Sequence, residues 1–250
     1  MVEVKYRGRL GNKLFQYCLG RIIAEKLGYK LKADPIPGFP ATYDNIEGKD
    51  FSNLEKETLG DDFRDLNLLL SNPRKRKIVL YGHFQRYEHY KNYKDKIKTK
   101  WAKPDYDHIH CHATNEDDMI VCVRRGDYAR KKIALPYSYY QNILRKENYN
   151  NAYIVTEDIH DPFNLKLANE FDAKIVRSGI KTNFKIIMNA KNKIIISHST
   201  FHWFPSFLSP AKEIFFPQPT TGFWSNAHEN THPNIDLVVD DEDRYTYVDC

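Results

Sequence analysis

Cysteine is scarce, and what there is does not pair. Cys18, Cys111, Cys122 and Cys250 are scattered along the 250 residues and form no C-x-x-C. Neither a disulfide framework nor a zinc ribbon is written into that spacing. A chain this long buries most of its unfolded surface and needs no such staple. Cys18 and Cys122 sit in apolar runs and read as buried thiols, which fits a reducing compartment. Long apolar runs are also missing. The opening Met-Val-Glu-Val-Lys-Tyr has no signal-like core, and no stretch approaches membrane-span length, so a soluble, cytoplasmic protein is expected. No internal repeat or low-complexity segment stands out. Charge of one sign is not dominant: 38 Lys and Arg face 33 Asp and Glu, a net of +5. That predicts mild attraction to anions but, by itself, no nucleic-acid partner.

What is present centres on Met119–Tyr128, Met-Ile-Val-Cys-Val-Arg-Arg-Gly-Asp-Tyr. Five apolar residues in a row read as a strand buried on both faces, as in a parallel sheet. The run ends in two arginines, where an open α/β sheet binds its ligands. A guanidinium donates two parallel hydrogen bonds to phosphate or carboxylate. Strand alternation puts Cys122, Arg124 and Gly126 on one side and Arg125 and Asp127 on the other. One arginine is expected on a ligand and the other in an ion pair, Arg125 with Asp127 or another carboxylate. A strand end capped by solvated charges is the plainer alternative. The literal Arg125-Gly126-Asp127 adhesion tripeptide is too short to carry weight.

Upstream, Val2–Tyr6 reads as a strand and Lys13–Leu27 as a helix with an apolar stripe, with Asn12 as N-cap and Gly28 just past its end. The turn between them is glycine-rich but is not G-x-G-x-x-G, so a dinucleotide site is weakly indicated. The helix start suits an anion or a sugar hydroxyl, or is simply a tight βα turn. Leu31–Ala33 is a second short strand. Asp34 to about Asp62 reads as an irregular surface excursion. Arg74–Lys77 is a basic run of the solvated kind. Lys77–Tyr81 is a strand, followed by Gly82-His83-Phe84-Gln85 and a helix to about Tyr93. After Tyr128, helices and strands alternate. Tyr137–Arg145, Phe163–Phe171, Phe184–Ala190 and Phe201–Leu208 are helical; Ala152–Val155, Lys174–Val176, Lys193–Ile196 and Glu213–Phe216 are strands. Repeated βα units of this length predict a parallel sheet flanked by helices. Ser199-Thr200 before a helix suits a phosphate, or is an ordinary N-cap. Pro205 leaves that helix's start open.

Two stretches raise metal. His108, His110, Cys111 and His112 carry ligand types, but with no second cluster nearby they read as a polar loop. Asp241-Glu242-Asp243 matches the Asp-x-Asp that holds a divalent cation in one class of glycosyltransferases. Coming after all the βα units, it reads as a solvated acidic turn.

Taken together, three stretches resemble the α-1,2-fucosyltransferase family. Gly8–Tyr17 is similar to G-x-L-G-N-Q-x-F-Q-Y, Cys122–Tyr128 to H-x-R-R-G-D-Y, and Ile195–Trp203 to I-x-S-N-S-T-F-S-W. Gly82–Gln85 is similar to G-Y-F-Q, and Glu157-Asp158 falls where members carry an acidic pair. The resemblance implies a GT-B-like α/β architecture, two facing Rossmann-like halves with a central cleft. Residues 1–112 would form the acceptor side and 113–250 the GDP-sugar donor side. It implies inverting, metal-independent transfer from GDP-L-fucose to a glycan hydroxyl, O-2 of a galactoside, with no cofactor. Arg124 would neutralise the departing diphosphate, with Asn12 reaching the reacting centre from the other half. Asp127 would be the nearest carboxylate base. His83 and the carboxylates of residues 34–62 are open for that role too. Arg9, Gly11, Cys122, Arg125, Asp158, Ser199, Thr200 and Phe201 would line the donor.

The departures are Lys13 for Gln, Cys122 for His, His198 for Asn and His202 for Ser. A thiol is a poor substitute for an imidazole that contacts a nucleotide, so another GDP-activated sugar is a second reading. An inactive nucleotide- or glycan-binding relative is a third. A nucleic-acid binder has only net charge and Arg74–Lys77 behind it.

Overall fold

The apolar run at 119–123 is the centre of one of two parallel sheets. In the computed structural model, residues 1–44, 46–72, 74–111, 115–218 and 235–250 are described. The chain divides into two compact units. The first is Met1–Asp105 with the stretch His232–Val238, of which residues 235–238 are described. The second is Tyr106–Thr231 with Val239–Cys250. The division thus falls at 105 rather than 112, and the chain re-enters the first unit late, which no composition shift announces.

The first unit has β1 (Val2–Val4), α1 (Leu10–Leu27), β2 (Leu31–Lys32), β3 (Lys56–Leu59), α2 (Leu66–Ser71) and β4 (Lys77–Leu80). A helical turn α3 (Lys94–Lys96) then runs into a π-helical turn, Ile97–Trp101. The sheet order is β2-β1-β4-β3, all parallel. β1 is apolar at Val2 and Val4, both buried, and α1 packs on it. The helix was expected to bury one stripe. Instead every residue from Leu14 to Ala24 is buried, Gln16 and Arg21 included. Both polar groups are satisfied: Gln16 exchanges two 2.8 Å bonds with the Arg7 backbone, and Arg21 reaches Tyr17 Oη at 2.7 Å and Glu25 at 2.9 Å. Gly28 closes α1 in the left-handed conformation, as expected. The N-cap is Arg9, without a side-chain cap bond. Asn12 therefore lies inside the first turn, and its amide is used elsewhere.

β3 lies within the excursion read as irregular. Its Lys-Glu-Thr-Leu pattern is an edge strand, polar on one face. The basic run beside it is solvated at Arg74 and Lys75, as expected, but not at Arg76. Arg74 pairs with Glu55, and the buried Arg76 pairs with Glu57. After β4 the expected helix is two 3₁₀ turns, Tyr87–His89 and Lys91–Tyr93.

The second unit has β5 (Met119–Val123), α4 (Gly126–Arg130), α5 (Tyr137–Lys146), β6 (Ala152–Thr156), α6 (Pro162–Phe171) and β7 (Lys174–Ile175). It continues with α7 (Ile180–Met188), β8 (Lys193–Ile195), α8 (Thr200–Leu208), β9 (Glu213–Pro217) and β10 (Tyr245–Val248). The six strands run parallel in the order β10-β9-β8-β5-β6-β7. All five β5 residues are buried. Met119, Val121 and Val123 pack with Tyr139, Tyr140, Ile143 and Leu144 of α5 and Ile154 of β6. Each such aliphatic side chain contributes about 1.5–3 kcal/mol on burial.

Pro205 sits inside α8, where its missing N–H leaves the Phe201 carbonyl without an i+4 partner. The far end of α8 is capped from the tail. Arg244 donates to the carbonyls of Phe207 at 3.0 Å and Ser209 at 2.7 Å, with Glu242 at 2.6 Å from its Nε. The acidic triplet is thus a turn, but Glu242 is inward and paired, and the residues after it form β10.

Candidate functional site

The strand order reverses between β5 and β8: β6 and β7 follow β5 on one side, β9 and β10 follow β8 on the other. In open parallel sheets ligands bind just outside the carboxyl ends of the strands at such a reversal. Val121 is in register with Ile195. The segments leaving these two strands are Arg124-Arg125-Gly126 and Ser197-His198-Ser199-Thr200, so two of the three motifs emerge side by side.

The arginine turn is held by acidic side chains. Arg124, 16% exposed, contacts Asp127 Oδ1 through Nη2 at 2.5 Å and Glu157 Oε1 through Nη1 at 3.4 Å. Arg125 does not pair with Asp127 as alternation suggested. Its Nε lies 3.4 Å from Asp161 Oδ2, and its guanidinium lies over the Phe163 ring at 4.5 Å. The reason is that β5 stops at Val123 and α4 begins at Gly126. The chain turns at Arg125 and Gly126, so strand alternation does not run on to Asp127, and Arg124 meets it instead. Gly126 is required there. Its φ is +36°, and a Cβ would lie 2.8 Å from Glu157 Oε1. That same oxygen accepts the Arg125 backbone N–H at 3.1 Å. Asp161 also caps α6 by accepting from Phe163 N at 2.8 Å, so Arg125 belongs to the support of the site. Asp127 is engaged by Arg124 in the same way. A guanidinium carries five N–H donors, more than these two carboxylates take.

Opposite, Ser199 is the N-cap of α8, buried, with no side-chain cap bond. Thr200 opens the helix and Phe201 packs edge-on to Phe184 at 6.0 Å. Beneath lie two buried histidines. His202 Nδ1 is 2.7 Å from Ser197 Oγ. Burial, with Arg124 adding its charge, pushes its pKa down to about 3. Burial alone pushes His198 down to about 3. Both are neutral at pH 7.

Cys122 is not brought to this surface. Its side chain is fully buried in β5, and burial holds the thiol protonated. Asp158 is an exposed turn residue: its Oδ1 accepts from His160 N at 3.0 Å and its carbonyl accepts from Asn164 at 2.6 Å.

The first unit carries its own constellation at the ends of β1, β3 and β4. Asn12 Oδ1 accepts from Gln85 Nε2 at 2.9 Å. Gly8 lies against the Asn12 amide, with φ +74°, and a Cβ there would sit 2.2 Å from Asn12 Nδ2. Gly11 is buried in the first turn of α1, and Arg9 is exposed beside it. Asp61 and His83 meet nearby, Oδ1 to Nδ1 at 3.3 Å. Asp61 was not singled out in the sequence. The signal for it was a carboxylate two residues past a strand, hidden because the strand itself was unread. Glu157 was named only as half of an acidic pair, and Asp161 not at all.

Among the described residues no group of three or more His, Cys, Asp or Glu is placed to hold a metal. His112 lies outside them. No helix among them is long and apolar enough to cross a membrane. No protein-family model matches the chain, and no curated protein matches it.

Proposed function

We propose that the chain is an inverting glycosyltransferase that moves L-fucose from GDP-L-fucose to a glycan hydroxyl, O-2 of a galactoside, with its two units as the halves of a GT-B-like enzyme. One observation carries the reading. The Arg124 turn and the Ser199-Thr200 helix start, distant in sequence, leave neighbouring strands β5 and β8 at the reversal of strand order. Fixed donors at that point suit a diphosphate that gains charge as it departs. Arg124 supplies the planar cation, and Ser199, Thr200 and the first N–H groups of α8 supply hydroxyl and backbone donors. Asn12, oriented by Gln85, serves the reacting centre from the first unit. Attack by the acceptor on the face opposite the diphosphate inverts the anomeric carbon. Arg124 stands where other transferases use a divalent ion.

A second reading, transfer of a different GDP-activated sugar, has the burial of Cys122 in its favour. A residue enclosed in β5 does not read the donor, so the donor preference attached to histidine at that position does not carry over. The test is GDP release by the purified chain with GDP-fucose or GDP-mannose, a panel of galactosides, and EDTA. Release with GDP-fucose and a galactoside, unchanged by EDTA, is the expected result. Absence of GDP binding and of release from either donor refutes the proposal. Activity that EDTA abolishes and manganese restores refutes the metal-independent role given to Arg124.

A further inference from the structure

We propose that His83 is the general base that takes the acceptor's proton and that Asp61 is its positioning residue, an inference that rests on the transferase reading. β3 and β4 are parallel, with Leu59 opposite Leu80. Two residues beyond one and three beyond the other, Asp61 and His83 emerge together at the carboxyl edge of the sheet. Asp61 Oδ1 accepts the backbone N–H of His83 and lies 3.3 Å from its Nδ1. Asp61 Oδ2 lies 3.5 Å from Arg7 Nη1. The carboxylate therefore holds the ring from below while a cation and a backbone donor hold the carboxylate. A donor Nδ1–H facing Asp61 leaves Nε2 with its lone pair as the basic atom. The side chain is 33% exposed, within reach of a hydroxyl, against 14% for Asp61.

The loop that carries His83 is strained and braced. Phe84 has φ +54°, a conformation costly for a bulky residue. Its ring is buried beside Phe63, 6.4 Å between centroids, and its carbonyl accepts from Tyr90 Oη at 2.7 Å. A Cβ on Gly82 would lie 2.8 Å from the Asp61 and Gly60 backbones, so the two loops are in close contact. The next residue, Gln85, holds Asn12. The strained turn thus carries both His83, which meets the Asp61 carboxylate, and Gln85, which holds Asn12. The charged and titratable groups on the adjoining loops are Lys5, Tyr6, Arg7 and Arg9 after β1, Asp61, Asp62, Arg64 and Asp65 after β3, and Tyr81 and Arg86 after β4, with Arg7 over the Tyr81 ring at 5.0 Å.

The step balances as follows. The acceptor oxygen forms its bond to C1 of the sugar as the bond from C1 to the phosphate oxygen breaks. That electron pair leaves on GDP. The acceptor proton passes to Nε2 of His83, and Asp61 stabilises the imidazolium until it returns the proton to water.

His83→Asn tests this, because its amide can still donate to Asp61 but offers no base. The expected result is a folded protein that binds GDP as the wild type does. Its kcat should be about a hundredfold lower or more, and the acid-side fall of kcat should be lost. His83→Ala should regain activity when imidazole is added, a response a merely structural histidine does not give. Asp61→Asn should lower kcat and alter its acid-side fall while GDP affinity is kept. A folded His83→Asn with kcat within threefold of wild type overturns the assignment. So does a His83→Ala enzyme that is inactive with and without imidazole. Those outcomes presuppose a wild type that releases GDP from a GDP-sugar; a wild type that does not refutes the transferase reading instead.

Discussion

Mild acid should destabilise this protein, and the second unit should lose about twice as much stability as the first. Three buried histidines are held neutral: His198 and His202 at about 3 and His89 at about 4. Burial is the main cause in each, with Arg124 adding to it for His202 and Arg86 for His89. In the unfolded chain a histidine titrates near 6.5. Between that value and the folded one the unfolded state binds more protons, so stability is complete above about pH 6.5 and falls as the pH is lowered. The loss is about 1.4 kcal/mol per pH unit for each histidine, or about 2 kcal/mol each at pH 5. His198 and His202 together put about 4 kcal/mol on the second unit, and His89 about 2 kcal/mol on the first. Carboxylates held low, such as Glu3 beside Lys77, lose their contribution only at lower pH, which makes pH 5 a clean comparison. Urea unfolding at pH 7 and pH 5, with hydrogen exchange reporting each unit separately, measures both losses. His202→Gln, which stays neutral, should remove about half of the second unit's sensitivity. Equal stability at the two pH values, or an unchanged loss in both His198→Gln and His202→Gln, would refute the reasoning.

Other outcomes follow from the two constellations. Arg124→Lys should lower turnover about thirtyfold to a thousandfold, since a bidentate phosphate contact is worth on the order of 2–4 kcal/mol in the transition state. Arg125→Lys should act on melting temperature instead, through Asp161 and the Phe163 ring; loss of GDP binding in a folded Arg125→Lys with binding kept in Arg124→Lys would reverse the two roles. Asn12→Ala should depress kcat far more than donor affinity, and collapse of GDP binding with unchanged turnover of bound donor would contradict that placement. Gly126→Ala should cost about 1–3 kcal/mol of stability from its positive φ and the approach to Glu157, seen as a lower urea midpoint; an unchanged midpoint would remove the reason given for glycine there.

What could be read from the sequence was whatever depended on local pattern. Met119–Val123 is apolar without interruption because both of its faces are covered, and that announces a central parallel strand directly. Gly28 past the last apolar turn of α1 was legible for the same reason. Elements whose character comes from their neighbours were not. Lys56–Leu59 is charged and short because it is an edge strand, and its identity as a strand comes from β4. Tyr245–Val248 likewise takes its form from β9. The pairing of Arg124 rather than Arg125 with Asp127 turned on where the strand stopped, one residue either way, and a two-residue period predicts the opposite partner. Asp61 could not be matched to His83 until the register of β3 on β4 was known. The motif resemblance pointed to Asn12, Arg124, Ser199 and Thr200, but Asp61 beside His83 and the Asp161 partner of Arg125 came only from the fold.

The late return of residues 235–238 bears on how the molecule is made. The Asp236 backbone accepts from Tyr87 N at 2.7 Å and donates to the Gln85 carbonyl at 2.8 Å, so it fastens the very loop that presents His83 and holds Asn12. During synthesis that loop is complete long before its fastening exists, because every strand from β5 to β9 is translated in between. The first unit therefore reaches its finished form only after most of the second has left the ribosome. A gene cut after Asp105 would encode a first unit without this tie, and the missing piece would have to be supplied from the other fragment. Two half-genes expressed together are a more faithful way to divide this protein than either half expressed alone.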